Sequence, residues 1–438
     1  SLSYSATYYV ATAANGGSNG NTGTEASPWL TLTWAVSQAN SGDTIIIGPG
    51  TFSSDAEITI DMALTIQGHG RDETIFDGSS SAASEGFLIV TASDGNLVTI
   101  KNMTIQNYAV TSGNTEIGGS AIRIGVARGT QYHSNAGSDV DITNIKFYKN
   151  SIDTSSSSYD DGGAIKIVRT NSNTNYDINI RECLFYDNSA DYRGGAILAE
   201  DGTTLRIYNS VFNDNDADWG GAIYLRDENT AGGDSSYYLY NCTIYRNMCR
   251  VSSNENSGNI YAYSGYDDIN VYIYNSIIMY GETASAGNYG YDLNSSSESR
   301  INWSLNRTYT RYVWDAGMDD WDSFSQTNEF TNGGNWPGHS GANKDMYFTS
   351  SAAHAIGKVA ANGTSIDVNG VTRPQGTASD IGAYEYRNTW DGSTSTDWNT
   401  AANWSLEQVP SNSDTAYNAP LIEDVSSGSG NNPVISNS

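Results

Sequence analysis

The sequence is short of several residue types, and the shortages of cysteine and of basic residues each exclude a class of protein. Its 438 residues contain only 3 cysteines, 7 prolines and 4 histidines. So few cysteines exclude a small disulfide scaffold, which needs a dense cysteine pattern. Lysine and arginine number 21 against 49 aspartates and glutamates, which gives a formal net charge of -28. Nucleic acid is therefore excluded as a partner, because phosphates require a basic surface.

Long apolar runs are also missing. No stretch approaches the ~20 consecutive apolar residues of a transmembrane helix, so no membrane-spanning segment is predicted. The first residues lack the pattern of a signal peptide, so we expect a mature or trimmed N-terminus. No anchor precedes Ser438, and the natural protein is expected to continue beyond it. The acidic balance fits a secreted or cell-surface protein whose carboxylates could take up Ca2+.

Two short patterns recur together along the middle of the chain. One is a glycine pair followed by a small residue and isoleucine, and the other is apolar-x-Asn-x-x-Phe-x-x-Asn. Self-similarity of this kind predicts a solenoid. The glycine pattern begins at Gly118, Gly162, Gly194 and Gly220, with a degenerate copy at Gly258. The asparagine pattern covers 142–150, 180–188, 207–215 and 239–247.

The alignment of these repeats predicts an all-β fold, a right-handed parallel β-helix solenoid. Apolar columns two residues before and three residues after the first asparagine should point into the core. That asparagine should adopt the left-handed backbone conformation, and stacked amides could bond from coil to coil. The apolar columns are Ile100, Ile142, Ile180, Ile207, Leu239 and Ile273, then Ile105, Phe147, Phe185, Phe212, Ile244 and Ile278.

The remaining segments suggest four parts. Residues 1–43 predict a strand and a short amphipathic helix that caps the open end of the solenoid. Regular β-helix coils are expected over 44–280, and irregular C-terminal coils with a closing segment over 281–388. Residues 389–438 would begin a small C-terminal β module. Cys183 and Cys242 share a column two coils apart, about 9.6 Å, which is too far for a disulfide, so buried free thiols are expected.

Several stretches resemble known families. The alternation of Gly-Gly-Ala-Ile with Phe-x-x-Asn resembles the repeats of polymorphic outer-membrane proteins. The segment from Pro28 to Phe52 resembles the opening of pectate-lyase-like parallel β-helices. Residues 370–386 resemble the closing segment of choice-of-anchor surface proteins, and 390–404 resemble modules of Bacteroidota proteins exported by the type 9 system. The resemblance implies a secreted β-helix, a fold that carries lyases, hydrolases and adhesins alike.

The first candidate site is the outer face beside the glycine strands. By register, Arg123, Lys166, Tyr224 and Tyr261 should form one outward column, with Arg193 and Trp219 just before the glycine pairs. In a polysaccharide lyase, Lys166 with Arg193 or Arg226 could neutralise a uronate and take its C5 proton. The alternatives are a binding face for glycans or proteins and a solvated strand face. No motif of catalytic aspartates could be matched to that of a lyase.

Two further candidates follow from the same columns. Tyr148, Tyr186 and Tyr245 follow the core phenylalanine position, and Tyr208, Tyr240 and Tyr274 precede the asparagine. As exposed rings they could stack on sugars, or they could pair across strands. Acidic turns form the third candidate, because the spacing of Asp214, Asp216 and Asp218 is similar to the start of a Ca2+ loop. Ordinary polar turn chemistry is the alternative.

Three functions therefore remain open from the sequence alone. The first is adhesion, in which the lateral face binds glycans or cell-surface polymers and copies of the rod self-associate. The second is a lyase acting on an acidic glycan, against which a net charge of -28 would work. The third is a structural spacer in a larger surface protein.

Overall fold

A computed structural model of the chain comprises two compact units, Ser1–Ser323 and Phe324–Ser438. The residues it describes are 5–80, 86–92, 95–111, 118–125, 139–153, 161–168, 176–200, 202–227, 235–251, 257–265, 268–279, 281–283, 291–295, 301–306, 309–310, 313–314, 366–374, 378–385, 389–390, 394–395, 397, 399–404 and 421–422.

The first unit is built around one long parallel sheet. It has 17 strands among the described residues, and the coils bend within it at the left-handed residues. One ladder contains Thr7–Val10, Asp43–Ile47, Leu64–Gly68, Leu97–Gln106, Asp139–Tyr148, Tyr176–Arg181, Thr203–Tyr208, Ser235–Tyr240, Ile269–Tyr274 and Ile301–Asn306. The other shares two of these strands and adds Gly50–Phe52, Thr74–Asp77, Leu184–Tyr186, Val211–Asn213, Thr243–Tyr245, Ile277–Met279 and Tyr309–Thr310.

Two further parallel sheets complete each coil. The sheet formed by the glycine repeats, here the glycine sheet, contains Ile58–Ile60, Leu88–Val90, Ile122–Ile124, Ile165–Ile167, Ile197–Ala199, Ile223–Asp227, Ser257–Ser264, Tyr291–Ser295 and Val313–Trp314. The short sheet contains Ala109–Val110, Ser151–Ile152, Ser189–Ala190, Asp216–Ala217, Met248–Cys249 and Glu282–Thr283. Strands stacked in parallel from coil to coil confirm the predicted all-β parallel β-helix, and the stack continues past residue 280 to Trp314.

A short helix, α1, spans Leu32–Gln38 and packs on the first coil. Its N-cap is Thr31, whose side chain accepts a hydrogen bond from the backbone N of Trp34 at 3.2 Å. Leu32 and Ala35 are fully buried in the same core cluster as Ile45. Two further segments are one-turn 3-10 helices in this unit, Ala13–Asn15 and Gly78–Ser80. The helix covers apolar side chains that the first coil would otherwise expose.

The core is a set of columns that repeat from coil to coil. The two predicted apolar columns are buried, and the rings of Phe147, Phe185 and Phe212 stack at 4.7 and 4.4 Å between centroids. The thiols of Cys183 and Cys242 are free and buried, as expected. Burial raises the pKa of the Cys183 thiol to about 12, because the thiolate would lose its hydration. The thiols therefore serve as small apolar side chains.

The asparagine prediction was right about the backbone, and at the first position Nδ2 of Asn144 donates to Oδ1 of Asn102 on the preceding coil at 3.0 Å. The first asparagine of each repeat has a positive φ, from 46° at Asn209 to 62° at Asn102. The continuous ladder lies instead at the last asparagine of the repeat, where Asn150, Asn188 and Asn215 are fully buried. The amide Nδ2 of Asn188 donates to Oδ1 of Asn215 at 2.9 Å. The last position carries the ladder because it points inward, whereas the first one turns the chain.

The second unit is described only in part. Buried Arg373 donates hydrogen bonds to the backbone oxygens of Asp380 and Gly382 at 3.0 and 2.7 Å. Trp390 and Trp404 are buried and meet edge to face at 5.2 Å. Thr389–Trp390 pairs in parallel with Leu421–Ile422, and a 3-10 helix spans Ala401–Asn403. Most of the predicted C-terminal module, 389–438, lies outside the described residues, so its limits stay a prediction.

Candidate functional site

The outward column of the glycine sheet has the register that the sequence predicts. Arg123, Lys166, Leu198, Tyr224 and Tyr261 are paired in that order across five coils. The residues on either side of them point into the core, so this column faces away from it. All five are nevertheless buried, with at most 5% of their surface exposed. The prediction of an open binding face at this column is therefore wrong.

Two of the three basic side chains proposed for catalysis, Lys166 and Arg226, are engaged in buried ion pairs. Nζ of Lys166 lies 3.4 Å from Oδ2 of Asp161, and both side chains are almost fully buried. A guanidinium nitrogen of Arg226 lies 3.2 Å from Oε1 of Glu200, with 9% of each side chain exposed. Removing a charge from water is costly, and the paired partner offsets that cost only while it stays in place. Lys166 and Arg226 each stabilise the buried carboxylate with which they are paired, and neither side chain is accessible to a polymer.

Asp161 lies at the centre of this buried group. Complete burial raises the pKa of its carboxyl, and the nearby charges of Lys166 and Arg193 act in the opposite direction. Arg193 is half-buried, and its guanidinium lies 4.2 Å from the ring centre of Tyr192 and 5.3 Å from that of Tyr224. Trp219, also half-buried, meets Tyr261 edge to face at 5.3 Å. The group is a packed polar and aromatic layer over the glycine sheet.

The three tyrosines that follow the phenylalanine column do not form one exposed row. Tyr186 and Tyr245 are buried, with 4% of their surface exposed, and Asn213 lies between them in the register. Tyr148 is half-buried, and the ammonium groups of Lys146 and Lys149 lie 5.4 and 5.0 Å from its ring centre. The expectation of exposed rings is wrong for Tyr186 and Tyr245, which are buried.

A different set of tyrosines is accessible on the long sheet. In the first column, Tyr208, Tyr240 and Tyr274 are consecutive in the register, and neighbouring ring centres are 5.0 Å apart. In the second, Tyr238 and Tyr272 stack at 4.8 Å. We call these five residues the tyrosine ladder, and all of them are half-buried. The sequence placed the first column outward but did not indicate the second.

The stacking decides which part of each ring can meet a ligand. Neighbouring rings within the two columns are within 11° of parallel, so ring faces contact other rings. The guanidinium of Arg181 covers the end of one column, 4.2 Å from the ring centre of Tyr208, and that of Arg206 lies 5.6 Å from Tyr238. The edges and hydroxyls remain for solvent, and none of the five hydroxyls bonds to a described residue. Stacking of a sugar on a face between two neighbouring rings is thus blocked.

Two arginines lie beside the tyrosine ladder, and one of them is paired with a carboxylate. Arg206 forms an ion pair with Asp177, and Arg181 donates to the amide oxygen of Asn179 at 3.4 Å. The pKa of Tyr240 is raised, because burial and the neighbouring phenols disfavour a phenolate. The ladder therefore presents neutral hydroxyl groups at a spacing fixed by the coils, with the guanidinium of Arg181 at the end of one column.

The acidic turn proposed for Ca2+ is occupied by arginines. Asp214 faces Arg246 at 3.8 Å, whereas Asp216 and Asp218 lie 3.3 and 3.6 Å from Nε of Arg250. Burial raises the pKa values of both Asp216 and Asp218. In the described part of the chain, no group of three or more potential ligands is placed to hold a metal. Calcium binding stays a prediction, and the charges beside these three aspartates in the structure are those of Arg246 and Arg250.

Comparisons with known proteins give several partial similarities. Residues 182–200 match the model of the Chlamydia polymorphic membrane protein repeat. A search of curated proteins gave no significant match. Among solved structures, a pectate lyase (Pel9A) is similar with 15% identity and a TM-score of 0.40 over 88% of this chain and 98% of that one.

Two other solved structures are similar at lower levels. A rhamnogalacturonan lyase has 13% identity and a TM-score of 0.36, covering 74% of this chain and 90% of its own. A pectin methylesterase in complex with a hexasaccharide has 10% identity and a TM-score of 0.31, covering 74% and 92%. The parallel strands of this chain themselves establish the β-helix. No helix in the portion described here has the length and hydropathy of a membrane span.

Proposed function

We propose that this protein is a secreted or cell-surface β-helix protein that binds glycans or other surface polymers through the tyrosine ladder. The observation that carries the proposal is the ladder itself: five half-buried tyrosines on one parallel sheet, whose hydroxyls bond to no residue that the structure describes. Phenol groups suit such contacts because each combines apolar area with a hydrogen-bonding tip. The rigid stack also loses little conformational entropy on binding.

The location of the protein is part of the proposal. The net charge of -28 and the match of 182–200 to a repeat of a membrane protein family support an outer surface or secreted protein. Export by a type 9 system in a Bacteroidota bacterium stays a prediction from the resemblance of residues 390–404. Self-association of the rods also stays a prediction.

Binding is proposed in preference to lyase chemistry for a physical reason. A lyase needs a base and a cation that reach the polymer, whereas Lys166 and Arg226 are buried against Asp161 and Glu200. A polyanionic substrate would also approach against the field of an acidic chain. A spacer role would leave the tyrosine ladder without a ligand.

The test measures binding and cleavage on the same polysaccharides. Alginate, pectate, glycosaminoglycans, ulvan and uncharged glucans are offered with and without Ca2+, while ultraviolet absorbance follows any unsaturated product. We expect binding that Tyr240→Ala weakens at least tenfold, in line with a loss of roughly 1.4 kcal/mol, and that the matched Tyr148→Ala leaves unchanged. A rise in absorbance that a folded Lys166→Ala variant abolishes would make the protein a lyase. Absence of binding throughout would favour the spacer.

A further inference from the structure

The arrangement of the tyrosine ladder restricts which polymer it can hold. Its first column crosses three successive coils, and each step measures 5.0 Å between ring centres. The column therefore runs across the strands and along the axis of the solenoid. A ligand that follows it must be extended and must repeat at nearly the same interval.

The groups that the ladder offers are also restricted. Ring faces are occupied by stacking, so the accessible groups are phenol hydroxyls, which both donate and accept hydrogen bonds, and positively polarised ring edges. Half-buried Thr204 and Ser236 form the next outward column beside Tyr238. This surface matches a chain of sugars with hydroxyls along its side, and it does not match an apolar helix or a lipid.

The net charge of the chain, -28, favours an uncharged polysaccharide over an acidic one. The nearest guanidinium groups are engaged, Arg206 with Asp177 and Arg181 with Asn179 and Tyr208. Asp141 continues the column of Tyr238, and Asp139 that of Thr204, two coils before the ladder begins. A uronate or sulfated chain would find one guanidinium without a carboxylate partner, that of Arg181, within the field of a chain whose net charge is -28.

We propose that the tyrosine ladder binds an extended, uncharged polysaccharide chain that runs along the solenoid axis, with one sugar residue at each coil. The proposal rests on the proposed function and names its ligand class. An extended chain of β-linked hexopyranoses advances by a similar distance per residue. Each sugar then meets one rung, and the contacts of successive rungs add within a single chain.

The experiment is a length series of uncharged β-linked gluco-oligosaccharides, from the monosaccharide upward, measured by titration calorimetry on the full chain. We expect the affinity to rise with each sugar until three coils are spanned and then to level off. Tyr240→Phe removes only the middle hydroxyl, and its loss of one hydrogen bond should weaken the longer oligosaccharides about fivefold. Tyr148→Phe, off the ladder, is the matched control. Circular dichroism should show both variants folded.

The outcomes separate this inference from the proposed function. Binding of glycans without any dependence on length, or of acidic glycans alone, would overturn the inference and leave glycan binding intact. Concentration-dependent self-association that Tyr240→Phe abolishes would assign the ladder to a second copy of the chain and overturn the inference. If no glycan of any charge binds, both proposals fail.

Discussion

The buried amide ladder gives the most direct test of what holds the coils together. Asn215 is fully buried and makes four hydrogen bonds through its side chain. Its Oδ1 accepts from the backbone N and from Nδ2 of Asn188, at 3.0 and 2.9 Å. Its Nδ2 donates to the backbone oxygen of Phe185 at 2.9 Å and to Oδ1 of Asn247 at 2.8 Å. Replacement by alanine removes all four.

The cost follows from the groups that lose a partner. Nδ2 of Asn188 keeps the backbone oxygen of Phe147, and Oδ1 of Asn247 keeps the backbone N of residue 215. The backbone N of Asn188 loses the acceptor that this side chain provides, and the oxygen of Phe185 loses a donor. A buried group left unsatisfied costs about 1–3 kcal/mol, so Asn215→Ala should lower the free energy of unfolding by about 2–5 kcal/mol.

The assay is urea unfolding followed by tyrosine fluorescence, together with hydrogen exchange of the amides around residues 185–215. Neighbouring coils interact chiefly with each other, so the increase in exchange should centre on the coils next to residue 215. The matched control is Asn179→Ala, a half-buried asparagine on the outer face of the long sheet, whose loss should stay within about 0.5 kcal/mol. Equal losses in the two variants would refute the argument that the inner amides stabilise the stack.

Two other predictions concern buried polar groups. Lys166→Met should destabilise the protein by about 3–5 kcal/mol, because Asp161 keeps a buried charge without its partner. Adding Asp161→Asn to this variant should restore most of the lost stability. Urea unfolding of the two single variants and the double variant measures the coupling, and additive losses would contradict the prediction. The Cys183 thiol, whose pKa is raised to about 12, should resist alkylation by iodoacetamide at neutral pH until urea unfolds the chain. Mass spectrometry measures the labelling, and rapid alkylation of Cys183 in the native protein would contradict the prediction.

The predictable part of the fold is the part that depends on period. Alternation along each strand fixed which residues face the core, so columns such as Phe147, Phe185 and Phe212 followed from alignment of the repeats alone. Positive φ at Asn144 and Asn209 was predictable because asparagine tolerates that conformation. Both depend only on neighbours along the chain.

The rest depends on packing between segments that are distant in sequence. Lys166 and Tyr224 face outward as predicted, yet they are buried, and strand alternation cannot reveal what packs over an outer face. The choice between Asn209 and Asn215 for the amide ladder depends on which side chain points inward after the turn. The ion pairs of Arg250 with Asp216 and Asp218 join neighbouring coils. The spacing of these aspartates along the sequence predicted a calcium site because it could not show that an arginine from the next coil lies beside them.

A solenoid repeats one outward position on every coil, so a residue type favoured at that position forms a row. A binding surface can therefore arise without a constellation of different side chains. Once the coils are in register, tyrosine at one outward position of three successive coils gives a row at 5.0 Å intervals, with no convergent loops or metal. The same geometry makes the array sensitive at its centre. Tyr240→Arg would insert a charge between Tyr208 and Tyr274 and leave two separate single rungs. A long oligosaccharide should then bind no better than a short one, whereas Tyr274→Arg should leave Tyr208 and Tyr240 adjacent and preserve part of the dependence on length.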